Sequence, residues 1–330
     1  MIKAMVWGLV LGASPEANAM SPEKTWQPDH RVNSISLDAD GSRLLAAGPH
    51  GVISLWDTTD KKLIKYLTGS RDDSTSSAIS PDGKWAAVGG IEGELQVFDI
   101  DQGRVIRSHG EHGSRLERVA FSPDGKLLSS TCWDGRLRIW STTDGARRSP
   151  EETTPIGMGG IAYSSDSASV FVPAKYSGFP GSPTTPTDAP IRKISLVEGG
   201  AGGSFVGPGT FWTVAVTTDR VAGGTEDGRV MVWDLSKPSS PTKRWPVVRK
   251  PGIGVGIVSL GWLRDGKHLL AMSMNGEGGV FGVDGTKVAS LDRPTDGFVA
   301  VGWSADGSRL GVGGWNQTIE VFDLSPWSKP

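Results

Sequence analysis

The sequence repeats itself. An Asp-Gly pair stands at Asp40-Gly41, Asp82-Gly83 and Asp124-Gly125, at a spacing of 42 residues, and Asp166 continues the series. After a longer gap, Asp219, Asp265-Gly266 and Asp306-Gly307 bring the marks to seven. A chain with a fixed period of this length builds one supersecondary unit per repeat. Each unit then buries its apolar faces only against its neighbours. The repeat constrains the fold more tightly than length does, since 330 residues suit one large domain or two.

The clearest unit is LERVAFSPDGKLLSSTCWDGRLRIWS, from Leu116 to Ser141. Val119 to Phe121 belongs to a first strand, a. Pro123-Asp124-Gly125 is turn chemistry: proline fixes φ, aspartate caps, and glycine takes the positive φ. Leu127 to Thr131 reads as strand b and Arg136 to Trp140 as strand c, joined by the tight turn Asp134-Gly135. A weaker strand d follows, as at Leu63 to Thr68 in the first unit. Four short strands per unit is the period of a propeller blade. The expected fold is all-β: a seven-bladed β-propeller with four-stranded antiparallel blades. The 46 glycines, 21 prolines and 13 tryptophans suit it. Small residues recur in strand b, as at Ala46-Ala47-Gly48 and Ala222-Gly223-Gly224, which predicts crowded backbone where blades converge.

The chain resembles the WD-repeat family over residues 24 to 325. The Trp-Asp that ends the family's third strand stands as Trp56-Asp57 and Trp233-Asp234. It is softened to Phe98-Asp99, Phe322-Asp323 and Trp140-Ser141, and degenerate at Ile194 to Leu196 and Gly282 to Asp284. The resemblance implies a structural tetrad, matched in the third unit by His112, Ser130, Asp134 and Trp140. The other units are read as having lost the histidine. It also implies that Lys24 to Pro28 pairs with the three-stranded last unit, so that an N-terminal strand closes the ring and removes two sheet edges. Trp56, Trp140, Trp233, Trp262 and Trp303 are expected in the core.

Two segments stand outside the repeat. Residues 1–19 carry Lys3, an apolar run from Ala4 to Ala13, and an Ala17-Asn18-Ala19 cleavage signature. The run is too short to span a bilayer, and the segment reads as a signal peptide. Residues 20–330 are then a single propeller without a membrane span, in the periplasm or secreted. Residues 173–190, rich in proline, glycine and threonine, form a loop inserted between strands b and c of the fourth blade.

The residues offer little chemistry. Cys132 is the only cysteine, so an intramolecular disulfide and CxxC motifs are excluded. His109, Glu111 and His112 are metal-ligand types, but His112 has its tetrad role, and neither metal nor cofactor is expected. No HExxH or G-x-S-x-G motif occurs. A net charge of −2 gives no field for nucleic acid, and Arg147-Arg148, Lys243-Arg244 and Arg249-Lys250 read as solvated flanks. The expected function is a monomeric scaffold that binds a protein or peptide through one propeller face. The alternative is a propeller hydrolase or lactonase with its site at the axial channel mouth. The resemblance puts partner contacts in the turns between strands b and c. Those turns hold Trp133, Trp315 with Asn316, Glu226, Ile91 and His50. Tryptophan is enriched at interface hot spots.

Overall fold

The computed structural model describes residues 18–70, 72–110, 112–153, 159–174, 188–249, 255–292, 299–314 and 316–327. They form seven sheets arranged as the blades of a propeller, each built on antiparallel strands. The innermost strands, a, are Ser34–Leu37, Ser74–Ile79, Leu116–Phe121, Ala162–Tyr163, Gly209–Val216, Ile257–Trp262 and Val299–Trp303. Blade three continues through b (Leu127–Cys132), c (Arg136–Ser141) and d (Arg147–Thr153), each paired with the one before.

The turn chemistry explains where strand a ends. In blade three, Gly125 has φ 72°. Asp124 Oδ1 accepts hydrogen bonds from Ser122 Oγ at 2.6 Å and from the Lys126 amide at 3.1 Å, while Ser122 Oγ accepts from the Leu127 amide at 2.9 Å. The same Ser–Asp arrangement recurs at Ser80–Asp82, Ser164–Asp166 and Ser304–Asp306. The repeat mark is therefore a capped turn that reverses the chain at the same point of each blade.

No blade has a core of its own. Seven apolar clusters lie between adjacent blades, one per seam. Leu45, Ile53 and Leu55 of blade one, for example, meet Ala86, Val88 and Phe98 of blade two. The small residues of strand b serve these seams. A Cβ on Gly224 would lie 2.6 Å from Ile257 of the next blade. Likewise a Cβ on Gly302 would meet the Ile35 carbonyl oxygen at 2.5 Å, so glycine lets the inner strands of blades seven and one touch.

The last seam is closed by the N-terminal strand. Lys24–Trp26 pairs antiparallel with Ile319–Val321, strand c of blade seven (Ile319–Asp323), and supplies its fourth strand. Glu23 pairs with Arg309 of the same blade at 2.9 Å, and the Trp26 ring lies 6.0 Å from that of Trp56 in blade one. Asn18–Ala19, which the sequence places in the leader, add a short parallel strand to Ala289–Ser290 of blade six. Met20 is buried in the seam between blades six and seven, and its amide donates to the Ser290 carbonyl at 2.8 Å.

Deleting residues 20–28 takes away this strand and a buried methionine together. A loss of ~3–5 kcal/mol, at about 2–4 °C each, should lower the melting midpoint by roughly 10 °C. A midpoint that stays within about 2 °C of the wild type would show that closure does not carry the ring.

Candidate interaction face

Strand a of each blade begins at one end of the channel, here the upper end, and the b–c turns open on the same side. In blade three this end is built by a bulge. The register slips between Leu116 and Arg118, which frees Glu117 from the ladder and turns it outward. Glu117 Oε2 accepts a hydrogen bond from Trp133 Nε1 at 2.7 Å, and the Arg115 guanidinium lies 5.4 Å from the Trp133 ring centroid. Trp133 is thus half-buried, its ring covered by a cation and its nitrogen satisfied. Glu117 and Arg115 carry no mark in the sequence, because the bulge that re-aims them depends on pairing with the neighbouring strand.

The other turn residues spread around the same rim. His50 is exposed with φ 56°. Its amide donates to Asp73 Oδ1 at 2.6 Å, and the Ile91 amide donates to the Asp73 carbonyl at 3.0 Å. The loop between blades one and two therefore ties these two positions together. Ile91 is 41% exposed, a large apolar side chain open to solvent. Beside it, burial raises the carboxyl pKa of Asp72, with further repulsion from Glu92 and Asp73. Glu226 is half-buried, its amide bound to the Thr210 carbonyl, and Asn316 is exposed. Trp315 lies outside the described residues, as do residues 175–187 of the blade-four insertion. The returning end of that insertion, Asp188–Ala189, pairs in parallel with Gly209–Thr210 at the upper end of strand a in blade five.

Behind Trp133 stands a polar relay. His112 Nε2 lies 2.6 Å from Ser130 Oγ, and Nδ1 lies 3.3 Å from Asp134 Oδ2. Trp140 does not complete the set by hydrogen bonding. Its Nε1 has no acceptor among the described residues, and the ring is held instead by His109, at 4.9 Å between centroids, and by the edge of His112. The buried guanidinium of Arg138 joins in, donating to Asp134 Oδ2 at 2.9 Å and touching His112 Nδ1. Burial works to raise the Asp134 carboxyl, but His112 and Arg138 outweigh it and hold it well below the usual carboxylate range.

A second relay corrects the sequence reading that the other blades lack a histidine. His30, 8% exposed, places Nε2 2.8 Å from Ser54 Oγ, which also accepts from Trp56 Nε1 at 2.7 Å. The hydroxyl has moved across the ladder. Ser130 of strand b pairs with Arg138, whereas Ser54 lies on strand c of blade one (Ile53–Asp57), opposite Ala46. The tetrad's residue spacing does not find it for that reason.

His112, Cys132 and Asp134 bring ligand-type atoms within 4.8 Å of one another. Their chemistry does not suit a metal ion. Burial pushes the Cys132 thiol up to about 12, so near neutral pH it is a neutral donor, bound to the Ser114 carbonyl at 3.0 Å. Arg138 already holds the cationic place beside Asp134. Trp262 and Trp303 also depart from expectation. They end strand a, half-buried at the lower mouth of the channel, whereas Trp56, Trp140 and Trp233 are core residues on strand c.

Comparison with known proteins agrees with this architecture. The family model described as WD domain, G-beta repeat, matches residues 20–57 and 103–141. The chain is 30% identical over 144 residues to the target of rapamycin complex subunit wat1 of Schizosaccharomyces pombe, covering 42% of this chain and 44% of that one. It is 29% identical over 118 residues to the methylosome protein WDR77 of Xenopus laevis, covering 34% of each. It is 26% identical over 252 residues to the ribosome biogenesis protein YTM1 of Laccaria bicolor, covering 71% of this chain and 48% of that one. The chain spans between about a third and a half of the length of these relatives. Fold and repeats together define a closed ring of blades with a scaffold's architecture. Two stretches of the chain match the WD40 repeat, and the seven blades together make a WD40-type β-propeller.

Asp134 makes the relay testable. A carboxyl held below its unfolded value stabilises the fold above that value, near pH 4, and the contribution is lost as the pH falls through the folded value. Asp134→Asn leaves Arg138 buried without its counter-charge and should cost ~3 kcal/mol near pH 7. The gap between variant and wild type should shrink on acidification below about pH 4, because the unfolded wild-type chain takes up a proton at this carboxyl that the folded chain does not. Denaturant melts across this range check it, and a gap that stays constant would remove the ion pair from the account.

Proposed function

We propose that this propeller is an exported, monomeric scaffold that binds a protein partner through its upper face, without catalysis. The observation that carries the reading is the rim itself. Ile91 offers exposed apolar surface, and Trp133 is set in a frame of Arg115 and Glu117. A half-exposed, pre-organised tryptophan on the same rim as an open aliphatic side chain suits an interface, since rigid aromatic anchors lose little entropy on binding. The returning end of the blade-four insertion, Asp188–Ala189, lies at the same end of the molecule. The relatives' names, a target of rapamycin complex subunit and a methylosome protein, support a life in protein assemblies.

Export to the periplasm or the medium rests on the leader. Lys3, the short apolar run and Ala17-Asn18-Ala19 give its three parts.

The test compares the mature chain with a Trp133→Ala/Ile91→Asp variant of matched melting behaviour, each used as bait in extract from the cells that make it. A protein held by the wild type should be lost by the variant, with an affinity at least about tenfold weaker. Equal retention moves the interface off this rim. The amino-terminal residue of the native protein checks export: Met20 is expected, and an intact Met1 refutes it.

A further inference from the structure

The channel is not the same at its two ends. Toward the upper end a side chain crosses it. Arg118 of blade three reaches across to blade six, where Nη2 donates to the Val258 carbonyl at 3.0 Å, while Nη1 donates to its own neighbour, the Glu117 carbonyl, at 3.0 Å. At the lower end lies a cavity of about 570 Å³. Its walls come from both sides of the ring: Pro123 and Tyr163 of blades three and four, and Trp262 and Trp303 of blades six and seven. A cavity of this size falls in the range of ~300–1,000 Å³ that small ligands occupy.

The lining has a definite chemistry. Trp262 and Trp303 are half-buried and belong to adjacent blades. Gly261 allows their approach, because a Cβ there would come within 2.5 Å of the Trp303 ring. The cavity's polar groups are few. Asp306 is the single carboxylate in the lining, and its Oδ1 is taken up within its own turn by Ser304 Oγ at 2.6 Å, the Ser308 amide at 2.9 Å and Ser308 Oγ at 2.7 Å. Arg264 is exposed at the rim. Its charge helps keep Asp306 ionised, yet its guanidinium makes no hydrogen bond or close ion pair among the described residues. Five N–H donors thus stand uncommitted beside aromatic walls.

We propose that the lower mouth is a small-molecule site for an aromatic organic anion. The ring of such a ligand packs against Trp262 and Trp303, and its carboxylate, sulfonate or phosphate takes the fork of Arg264. Aromatic surface alone would take any flat apolar molecule. The guanidinium is what selects an anion. The site lies at the opposite end of the channel from the upper rim, and Arg118 crosses the channel between them.

Two fluorescent probes of similar shape and different charge test this on the mature chain: anilinonaphthalene sulfonate, an anion, and the neutral phenylnaphthylamine. The wild type should bind the sulfonate at one saturable site. Arg264→Gln should weaken it by about tenfold and leave the neutral probe unchanged. Trp303→Ala should weaken both, and Trp133→Ala neither. Far-ultraviolet circular dichroism and melting of each variant exclude probe uptake by a loosened fold. The absence of a saturable sulfonate site in the wild type, or equal sulfonate affinity in Arg264→Gln, would overturn the proposal.

Discussion

Everything in this molecule depends on the pairing of Lys24–Trp26 with Ile319–Val321. Each blade is sandwiched, and its apolar residues lie in seams shared with two neighbours. An open array would leave two blades with one bare face each. The closing strand makes the first and last blades neighbours, so that Val32, Ile35 and Leu44 of the N-terminal blade bury against Ala300, Ile319 and Val321 of the C-terminal one. Only after that step are all seven seams equivalent. Local turns can form earlier, since each Asp–Gly turn is capped within five residues. Long-range burial waits for closure.

The seams are not filled by apolar groups alone. Blades one and three place a buried histidine and a serine behind the tryptophan of strand c, and in blade three an arginine and an aspartate join them. Burying such groups costs desolvation unless each finds a partner. In blade one the cost is met by hydrogen bonds to uncharged partners, with His30 Nδ1 bound at the Arg31 carbonyl. In blade three the partners are charged, and the same network supports the loop that carries Trp133. Stability and presentation of the rim therefore share residues there, which is why a binding defect in that blade has to be separated from a folding defect.

What was legible in the sequence was local. Pro-Asp-Gly and Asp-Gly encode their turns in three or four residues, and the seven marks gave the blade count and the strand order. The closing strand was expected from the resemblance, for a last unit of three strands and a segment, residues 24–28, that precedes the first strand. What was not legible depended on contacts between strands. The His30–Ser54 relay was hidden because its hydroxyl sits on strand c, where the tetrad pattern expects none. Glu117 and Arg115 were hidden because a bulge sets their direction. Trp262 and Trp303 were misplaced because a tryptophan before an Asp-Gly turn ends strand a, at the channel, whereas one after a tight turn lies on strand c, in the seam. Residue type is the same in both cases, and position in the blade decides burial.

That last distinction reaches into function. A propeller has two axial faces, and the upper one draws attention because its turns vary most between blades. Here the upper mouth is crossed by Arg118 and framed by residues already bonded to one another, so what it offers is surface. The lower mouth gathers the ends of seven inner strands, and the fold requires only that they seal the seams. Leucine and valine do this at Leu37 and Val216. Blades six and seven use tryptophan, which overfills the seam and leaves part of each ring facing the cavity. Sealing does not call for that excess aromatic area, nor for an uncommitted guanidinium beside it. The asymmetry between the mouths is thus carried by side chains that the ring does not need for closure.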